Sequence, residues 1–286
     1  MREGSSPTVR RRRLGAELRR LREAAGLNAE EAARYLECSA SKISRMETGR
    51  VPSRLRDVRD LLTLYRVTDD ASRTALLDLV RQSREEGWWQ PFSDVVPEWL
   101  RGYVALEGDA SSIHTYESVL IPGAVQTEDY SRALLRSADR DASYDEIERK
   151  VALRLARQRR FDRPNRPEVW MVLDEAALRR PVGGYSVLRS QLEHLLEVSE
   201  WPRVTIQVMP FDVGGYPAQG FPFTVFDFPN PLDTPVVYVE ELAGALYLEK
   251  AHEVMRYRVA FDYMRARALD QDDGTGLIKE ILKGLE

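Results

Sequence analysis

Small and basic side chains recur along residues 39–50 at spacings that could place them together on one face of a short helix. Ala40, Ser41, Ser44 and Arg45 are separated by one, three or four positions, so in a helix they share a surface. A helix with small residues on its outer face fits a DNA major groove, where an arginine fork matches the O6 and N7 atoms of guanine. The alternative is an ordinary solvated helix face.

Two helices joined by a tight turn are needed to position this face, and the flanking residues predict them. Asn28 is a good N-cap, and the glutamate three positions later can complete a capping box for the first helix. Ser39 caps the second helix, which Gly49 ends in a left-handed conformation. Ile43 and Met46 should point inward, away from the outer face.

Leucines before and after this pair predict two further helices. Leu14, Leu18 and Leu21 lie at helical spacing in a segment that ends at Gly26. A second apolar pattern runs through residues 55–65. We therefore expect four short helices around one small core.

The segment LGAELRRLREAAGLNAEEAARYLECSASKISRMETGRVPS resembles the phage-repressor, or XRE-type, helix-turn-helix over about residues 10–66. The resemblance implies binding to a double-stranded DNA operator, and it places Arg22 opposite Glu47 as a structural ion pair. Phage repressors commonly carry glutamine where this chain has Ala40 and Ser41, so specificity should lean on thymine methyl contacts and DNA shape. The candidate DNA-binding residues of this region are Asn28, Ser39, Ala40, Ser41, Lys42, Ser44, Arg45 and Arg50.

A run of four arginines, Arg10, Arg11, Arg12 and Arg13, opens the first helix. It is interpreted either as an arm that contacts phosphates or the minor groove, or as a solvated helix start. Charge is distributed unevenly along the chain. Residues 1–68 hold 16 Lys and Arg against 9 Asp and Glu, which leaves 26 against 37 for the remainder. A basic module on an acidic body is expected when only one part contacts phosphate.

Length and composition indicate two packed cores, since the chain has 286 residues, of which 43% are hydrophobic. No run of eighteen apolar residues and no apolar segment behind the basic N-terminus is present, so we expect a cytoplasmic protein without membrane contact. The only cysteine, Cys38, excludes an internal disulfide and a multi-cysteine zinc site. At the helix turn it is either a small packing residue or a redox sensor.

The predicted organisation is multidomain, with an all-helical part followed by an α+β part. Residues 1–68 form the helix-turn-helix domain, 69–96 a connector helix with an aromatic linker, and 97–286 an α+β domain. Strand patterns near 112–120, 169–175 and 204–211, and three more with hairpin-like spacing, predict a mostly antiparallel sheet with C-terminal helices. Trp88 and Trp89 are either a hydrophobic brace between domains or a stacking platform for a ligand.

A second resemblance covers about residues 97–270. YVALEGDASSIHTYESVLIPGAVQTEDYSRALL, VWMVLDEAALRRPVGG and VVYVEELAGALYLEKAHEVMRY are similar to the uncharacterised C-terminal domain that follows an XRE-type helix-turn-helix in many bacterial regulators. Those regulators are described as antitoxin-like. The resemblance implies transcriptional control and, often, a small partner protein encoded nearby, but it supplies no catalytic residue or ligand.

Catalytic patterns are absent from the sequence. His114, His194 and His252 lack metal-ligand spacing, and Asp174 with Glu175 could serve acid–base chemistry or cap the next helix. No phosphate-binding loop or nucleophile elbow is present. We therefore expect no catalytic site, no metal and no cofactor. The surfaces suited to a partner or small ligand are the Trp88–Trp89 pair, Tyr116, residues 121–123, Tyr130 and loop 212–221.

The sequence thus favours a sequence-specific DNA-binding transcriptional regulator whose acidic C-terminal domain dimerises and binds a small protein partner or effector. The alternative is an antitoxin that neutralises a small neighbouring protein directly and regulates its own synthesis. A third hypothesis from another class is an enzyme fused to a DNA-binding module.

Overall fold

The computed structural model describes residues 7–84, 87–162, 166–230 and 233–285. Its helices are α1 (Pro7–Ala24), α2 (Ala29–Tyr35), α3 (Ala40–Glu47), α4 (Leu55–Leu64), α5 (Asp70–Gln82), α6 (Glu98–Asp109), α7 (Glu128–Ala138), α8 (Tyr144–Gln158), α9 (Glu175–Arg179), α10 (Tyr185–Ser199), α11 (Ala251–Arg267) and α12 (Gln271–Lys283). Its strands are β1 (Ser112–Glu117), β2 (Glu168–Asp174), β3 (Val204–Met209), β4 (Phe223–Asp227), β5 (Val236–Glu241) and β6 (Gly244–Leu248). The chain forms two compact units, one containing the described residues up to Gln90 together with Asn230 and Asp233, the other containing the rest from Pro91 onward.

The first unit is built from α1 to α5 around one apolar core. Leucines of α1 and α4 meet Ile43 and Met46 of α3 in this core, as their spacing predicts. The predicted number of helices around this core, four, is too low, because α5 adds Leu76 and Val80 to the same core. These two residues lie one turn apart on α5 and therefore face the same side. The helix expected to connect two domains is thus part of the first compact unit, which extends beyond residue 68.

Local signals set the helix ends in this unit. The backbone N–H of Glu31 donates to Asn28 Oδ1 at 2.9 Å, and the backbone N–H of Asn28 donates to Glu31 Oε2 at 2.8 Å, which completes the predicted capping box. Gly26 and Gly49 have φ angles of 70° and 67°, so both adopt the left-handed conformation that ends a helix.

A six-stranded sheet forms the centre of the second unit, in the order β3-β2-β1-β4-β5-β6. β1 pairs parallel with β2, and β2 with β3, because helices connect these strands in sequence. The other three pairs, β1 with β4, β4 with β5, and β5 with β6, are antiparallel. The predicted α+β fold with a mostly antiparallel sheet and C-terminal helices is therefore confirmed.

Helices cover both faces of this sheet. On one face, Tyr116, Phe223 and other strand residues form a core with Val254, Phe261 and Met264 of α11. On the opposite face, the Tyr103 ring of α6 meets the rings of Phe226 and Tyr238 edge to face. Among the residues that the structure describes, no helix combines the length and apolar character needed to cross a bilayer.

Candidate nucleic-acid interface

The helix α3 is held firmly against the first unit along its inner side. Ile43 and Met46 are buried in the core, and α1 crosses the end of α3 at Gly15. A Cβ atom on Gly15 would lie 2.4 Å from the backbone oxygen of Glu47, so only glycine permits this backbone approach. The outer side of α3 is consequently presented in a fixed orientation.

The Arg22–Glu47 pair implied by the family resemblance forms between α1 and the last turn of α3. Arg22 donates from Nε and Nη2 to the two carboxylate oxygens of Glu47 at 2.7 and 2.9 Å, a bidentate geometry. Arg22 Nη1 also donates to the carbonyl of Leu27 at 2.8 Å. The hydrogen bonds with Glu47 raise the pKa of Arg22. The guanidinium thus joins α1, α3 and the loop that precedes α2.

Exposed side chains follow the outer side of α3 in the predicted pattern. Ser41, Ser44 and Arg45 are exposed, and Ala40 is half-buried beside them. Ser39 is also exposed, and its hydroxyl accepts a hydrogen bond from the backbone N–H of Lys42 at 3.2 Å. Small side chains and one arginine therefore form a shallow surface on which Arg45 is the longest side chain.

Two of the predicted DNA-binding residues are partly committed to the fold. Lys42 Nζ lies 2.6 Å from Asp57 Oδ2 and links α3 to α4, so its ammonium is already paired. Asn28 Oδ1 is used by the capping box, which leaves only its amide N–H groups for an outside acceptor. The sequence alone did not separate these linking residues from the exposed ones.

The four arginines of the run do not lie on one exposed surface, and the structure contradicts the prediction of Arg10 as part of an exposed arm. Arg10 is buried, and its Nη1 donates to the carbonyl of Gln82 at the end of α5 at 2.8 Å, so it is not available to a phosphate. Arg11 and Arg12 are half-buried, and burial lowers the pKa of Arg11. Arg13 is the exposed member of the run.

A basic residue that the sequence interpretation missed lies beyond α3. Arg54 is exposed and precedes α4, whose N-terminus has no side-chain cap, and Arg50 and Arg56 nearby are also exposed. Unpaired backbone N–H groups and arginines at a helix start favour a phosphate. The sequence signal is RVPSRLR, with arginines that flank the loop between two helices.

A polar cluster in the second unit was not predicted. Glu117, at the end of β1, has no hydrogen-bond or ion-pair partner among the described residues, and burial together with Glu240 raises its pKa to about 8. Arg154 of α8 donates to the neutral amide of Gln126, and burial followed by Arg157 lowers its pKa to about 10. Neither side chain contacts an oppositely charged group, which would offset the cost of ionising it in a buried position.

One neighbouring pair in this cluster is fully compensated. Arg157 donates from Nε and Nη2 to Glu107 at 2.8 Å each, and both side chains are buried. The Arg157 guanidinium also lies over the Tyr103 ring, 4.9 Å from its centroid. Glu117 and Arg154 differ from this pair because neither contacts a side chain of opposite charge.

Most of the predicted partner surface is interior. Tyr116, Tyr130 and Ile121 are buried, so these residues serve the core of the second unit and not an outer surface. Their apolar character did not distinguish core from interface. Loop 212–221 does carry exposed surface, including Phe221 at its end.

The other sequence candidates have structural contacts. Asp174 caps α9 by accepting from the backbone N–H of Ala176, and His114 stacks on a phenylalanine of α11. Trp88 and Trp89 meet edge to face with centroids 6.1 Å apart, and Trp89 is buried. Cys38 is half-buried beside the core of the first unit. Within the described ranges no group of His, Cys, Asp or Glu has the arrangement of a metal site.

Comparison with known families matches both units. A model described as a helix-turn-helix domain matches residues 13–76, and a model described as a domain of unknown function, DUF5753, matches residues 100–280. No curated protein and no solved structure matches the chain. The first match identifies α1 to α5 as the helix-turn-helix part of a DNA-binding regulator.

Proposed function

The chain belongs to the family defined by the domain of unknown function DUF5753, and we propose that it is a sequence-specific, XRE-type transcriptional regulator with its DNA-reading helix in α3. The observation that carries this proposal is the outer side of α3. Its small residues and Arg45 are exposed while Ile43 and Met46 anchor the helix from behind. A helix already fixed in its binding orientation loses little conformational entropy when it enters a groove.

The proposed binding mode separates base readout from phosphate contact. Arg45 reads a base edge, and Ser41 and Ser44 approach neighbouring bases closely because they are small. Arg50, Arg54 and Arg13 are exposed and contact phosphates, which fix the position of the helix without reading sequence. Lys42 stabilises the α3–α4 junction through Asp57 in this mode.

The second unit is proposed to assemble and control the regulator, without enzymatic activity. A single helix-turn-helix reads few base pairs, so two copies on half-sites about 34 Å apart are needed for useful specificity. Residues 91–286 carry 23 basic against 32 acidic side chains, and this negative charge keeps the second unit away from DNA. Neither Glu117 nor Arg154 contacts an oppositely charged side chain, and we propose these two residues as the ones that meet a small effector or a partner group carrying both charges.

The test of DNA reading is Arg45→Ala. After operator sequences have been selected from random DNA with the wild-type protein, fluorescence anisotropy measures the affinity of each variant for operator and for scrambled DNA. We expect a loss of ~1 to 3 kcal/mol on operator, the value of one bidentate guanine contact, and a smaller loss on scrambled DNA.

Arg81→Ala is the matched control. Arg81 is exposed on α5, and its replacement by alanine removes the same charge as Arg45→Ala. Its operator affinity should equal that of wild type. If both variants bind equally well, α3 does not read the operator through Arg45. If the wild-type protein selects no sequence, the proposal of sequence-specific binding is wrong.

The test of the effector hypothesis uses the full chain and three probes: an α-amino acid mixture, a simple alkylammonium salt and acetate. If the amino acids raise the melting temperature of the wild type and not that of Glu117→Gln, the result would support a ligand site at Glu117 and Arg154. The same rise in Glu117→Gln and wild type would exclude Glu117 from it.

A further inference from the structure

The helix α11 carries a stripe of large apolar side chains on its outward side. Met255, Val259 and Tyr263 follow one another at intervals of four residues and are 59%, 60% and 40% exposed. Residues four apart on a helix lie above one another, so the three form one continuous strip. The strip spans about 12 Å at a rise of 1.5 Å per residue.

This strip is not needed for the core of the second unit. Val254, Phe261 and Met264, on the opposite side of α11, are buried against the sheet and fill that role. A helix with apolar residues on both sides typically has a second partner. The outward strip is therefore an exposed apolar surface that a second partner could cover.

The charges beside the strip identify that occupant. Reversing the direction of α11 about Val259 exchanges Met255 with Tyr263 and Arg256 with Asp262. Each exchange places opposite charges, or two apolar groups, against each other. A helix that is complementary to its own reversed copy fits a two-fold symmetric contact, in which the same patch is used on both sides.

The charged residues beside the strip are accessible to a second copy. Arg256 and Asp262 are exposed, and among the described residues Arg256 has no ion-pair partner. Asp262 lies 3.0 Å from Arg265 in a solvent-exposed pair, which contributes little on its own. His252 at the start of the helix is exposed and faces Ala266 in the reversed copy.

We propose that two copies of this chain associate through α11, antiparallel, with the two-fold axis at Val259. Met255 packs on Tyr263 of the other copy, and Arg256 pairs with Asp262 of the other copy, twice by symmetry. The proposal rests on the dimeric part of the proposed function and names its surface.

A charge-reversal cycle in the full chain tests the pairing. Arg256→Asp places two aspartates against each other at each symmetric position, and Asp262→Arg places two arginines there. We expect each single variant to raise the dimer dissociation constant at least tenfold in sedimentation equilibrium. The double variant restores opposite charges and should return to within about threefold of wild type.

A double variant as weak as the weaker single variant would overturn the pairing. Asp262→Arg also removes the contact with Arg265, so circular dichroism must show that every variant is folded. The recovery in the double variant is the decisive reading, because loss of an internal contact cannot produce it.

Cross-linking tests the position of the axis independently. In a Cys38→Ser background, which removes the only native cysteine, Val259→Cys should form a disulfide with its own copy under mild oxidation. Only a residue on the axis meets itself, at the Cα separation of 4.4–6.8 Å that a disulfide requires. Met255→Cys alone should not cross-link, whereas a mixture of Met255→Cys and Tyr263→Cys chains should.

The outcomes separate this proposal from the proposed function. A dimeric chain whose Val259→Cys variant does not cross-link would overturn the α11 surface and leave dimerisation in place. A chain that stays monomeric and still selects an operator would overturn both the surface and dimerisation and leave DNA reading in place.

Discussion

The buried carboxyl group of Glu117 should make the second unit less stable as the pH rises. Its pKa is raised from 4.5 to about 8 by burial and by Glu240. Between these two values the folded state holds a proton that the unfolded state has released, so raising the pH favours unfolding. The effect is absent below about pH 4.5, grows through the interval, and is complete above about pH 8.

The magnitude follows from the two pKa values. A difference of one pKa unit corresponds to 1.36 kcal/mol, so the interval from 4.5 to about 8 sets a ceiling of roughly 5 kcal/mol. Glu117 retains partial contact with solvent, which screens its charge. We therefore expect the free energy of unfolding of Glu117→Gln to exceed that of wild type by ~2 to 3 kcal/mol at pH 8.5. At pH 5 the two free energies should differ little.

Urea titrations at pH 5, 7 and 8.5, followed by circular dichroism and tryptophan fluorescence, provide the measurement. Each of the two units is treated as a separate transition, because a chain with two compact units need not unfold in one step. Glu193→Gln is the control, since Glu193 is exposed on α10 and loses the same charge. It should shift neither transition. If Glu117→Gln and wild type change in parallel from pH 5 to 8.5, Glu117 is not held in an environment that opposes its charge.

Three further predictions concern the first unit. Glu47→Ala should lower its stability by ~2 to 4 kcal/mol in thermal melts, because a partly buried guanidinium loses its partner; an unchanged melting temperature would remove the pair from the stabilising contacts. Gly15→Ala should cost ~1 to 3 kcal/mol by forcing two helices apart, whereas Gly276→Ala, which meets no neighbour, should be neutral or slightly stabilising; equal effects would show that the helix crossing can relax. Arg13→Ala should reduce the slope of log affinity against log salt by about 1 without unfolding the unit, and Arg10→Ala should destabilise it; the reverse pattern would contradict their assigned exposures.

The sequence predicted those features of the first unit that depend on neighbouring residues. The capping box at Asn28, the cap at Ser39 and the left-handed Gly49 each involve residues within a few positions of each other. Local rules apply directly to such features. The inward positions of Ile43 and Met46 follow from helical periodicity in the same way.

Features that depend on distant residues could not be obtained in this way. Arg10 donates to a carbonyl 72 positions away, and Lys42 pairs with Asp57 of the next helix. The predicted DNA-binding residues of the arginine run and of α3 therefore included two side chains that already make contacts within the first unit. Glu117 resembles any glutamate at the end of an alternating strand. Its proximity to Glu240 arises only when β1, β4 and β5 assemble into the sheet.

The place of β1 in the sheet has a consequence for folding during synthesis. β1 is an interior strand, but its antiparallel neighbour β4 follows much later, and the hydrogen bond between Ser112 and Asp227 joins residues 115 positions apart. Until β4 leaves the ribosome, one edge of β1 has no strand to pair with. Helices α1 to α5 need no such distant partner for their core and can pack earlier. An interrupted chain would therefore carry a folded helix-turn-helix joined to an open, aggregation-prone strand edge.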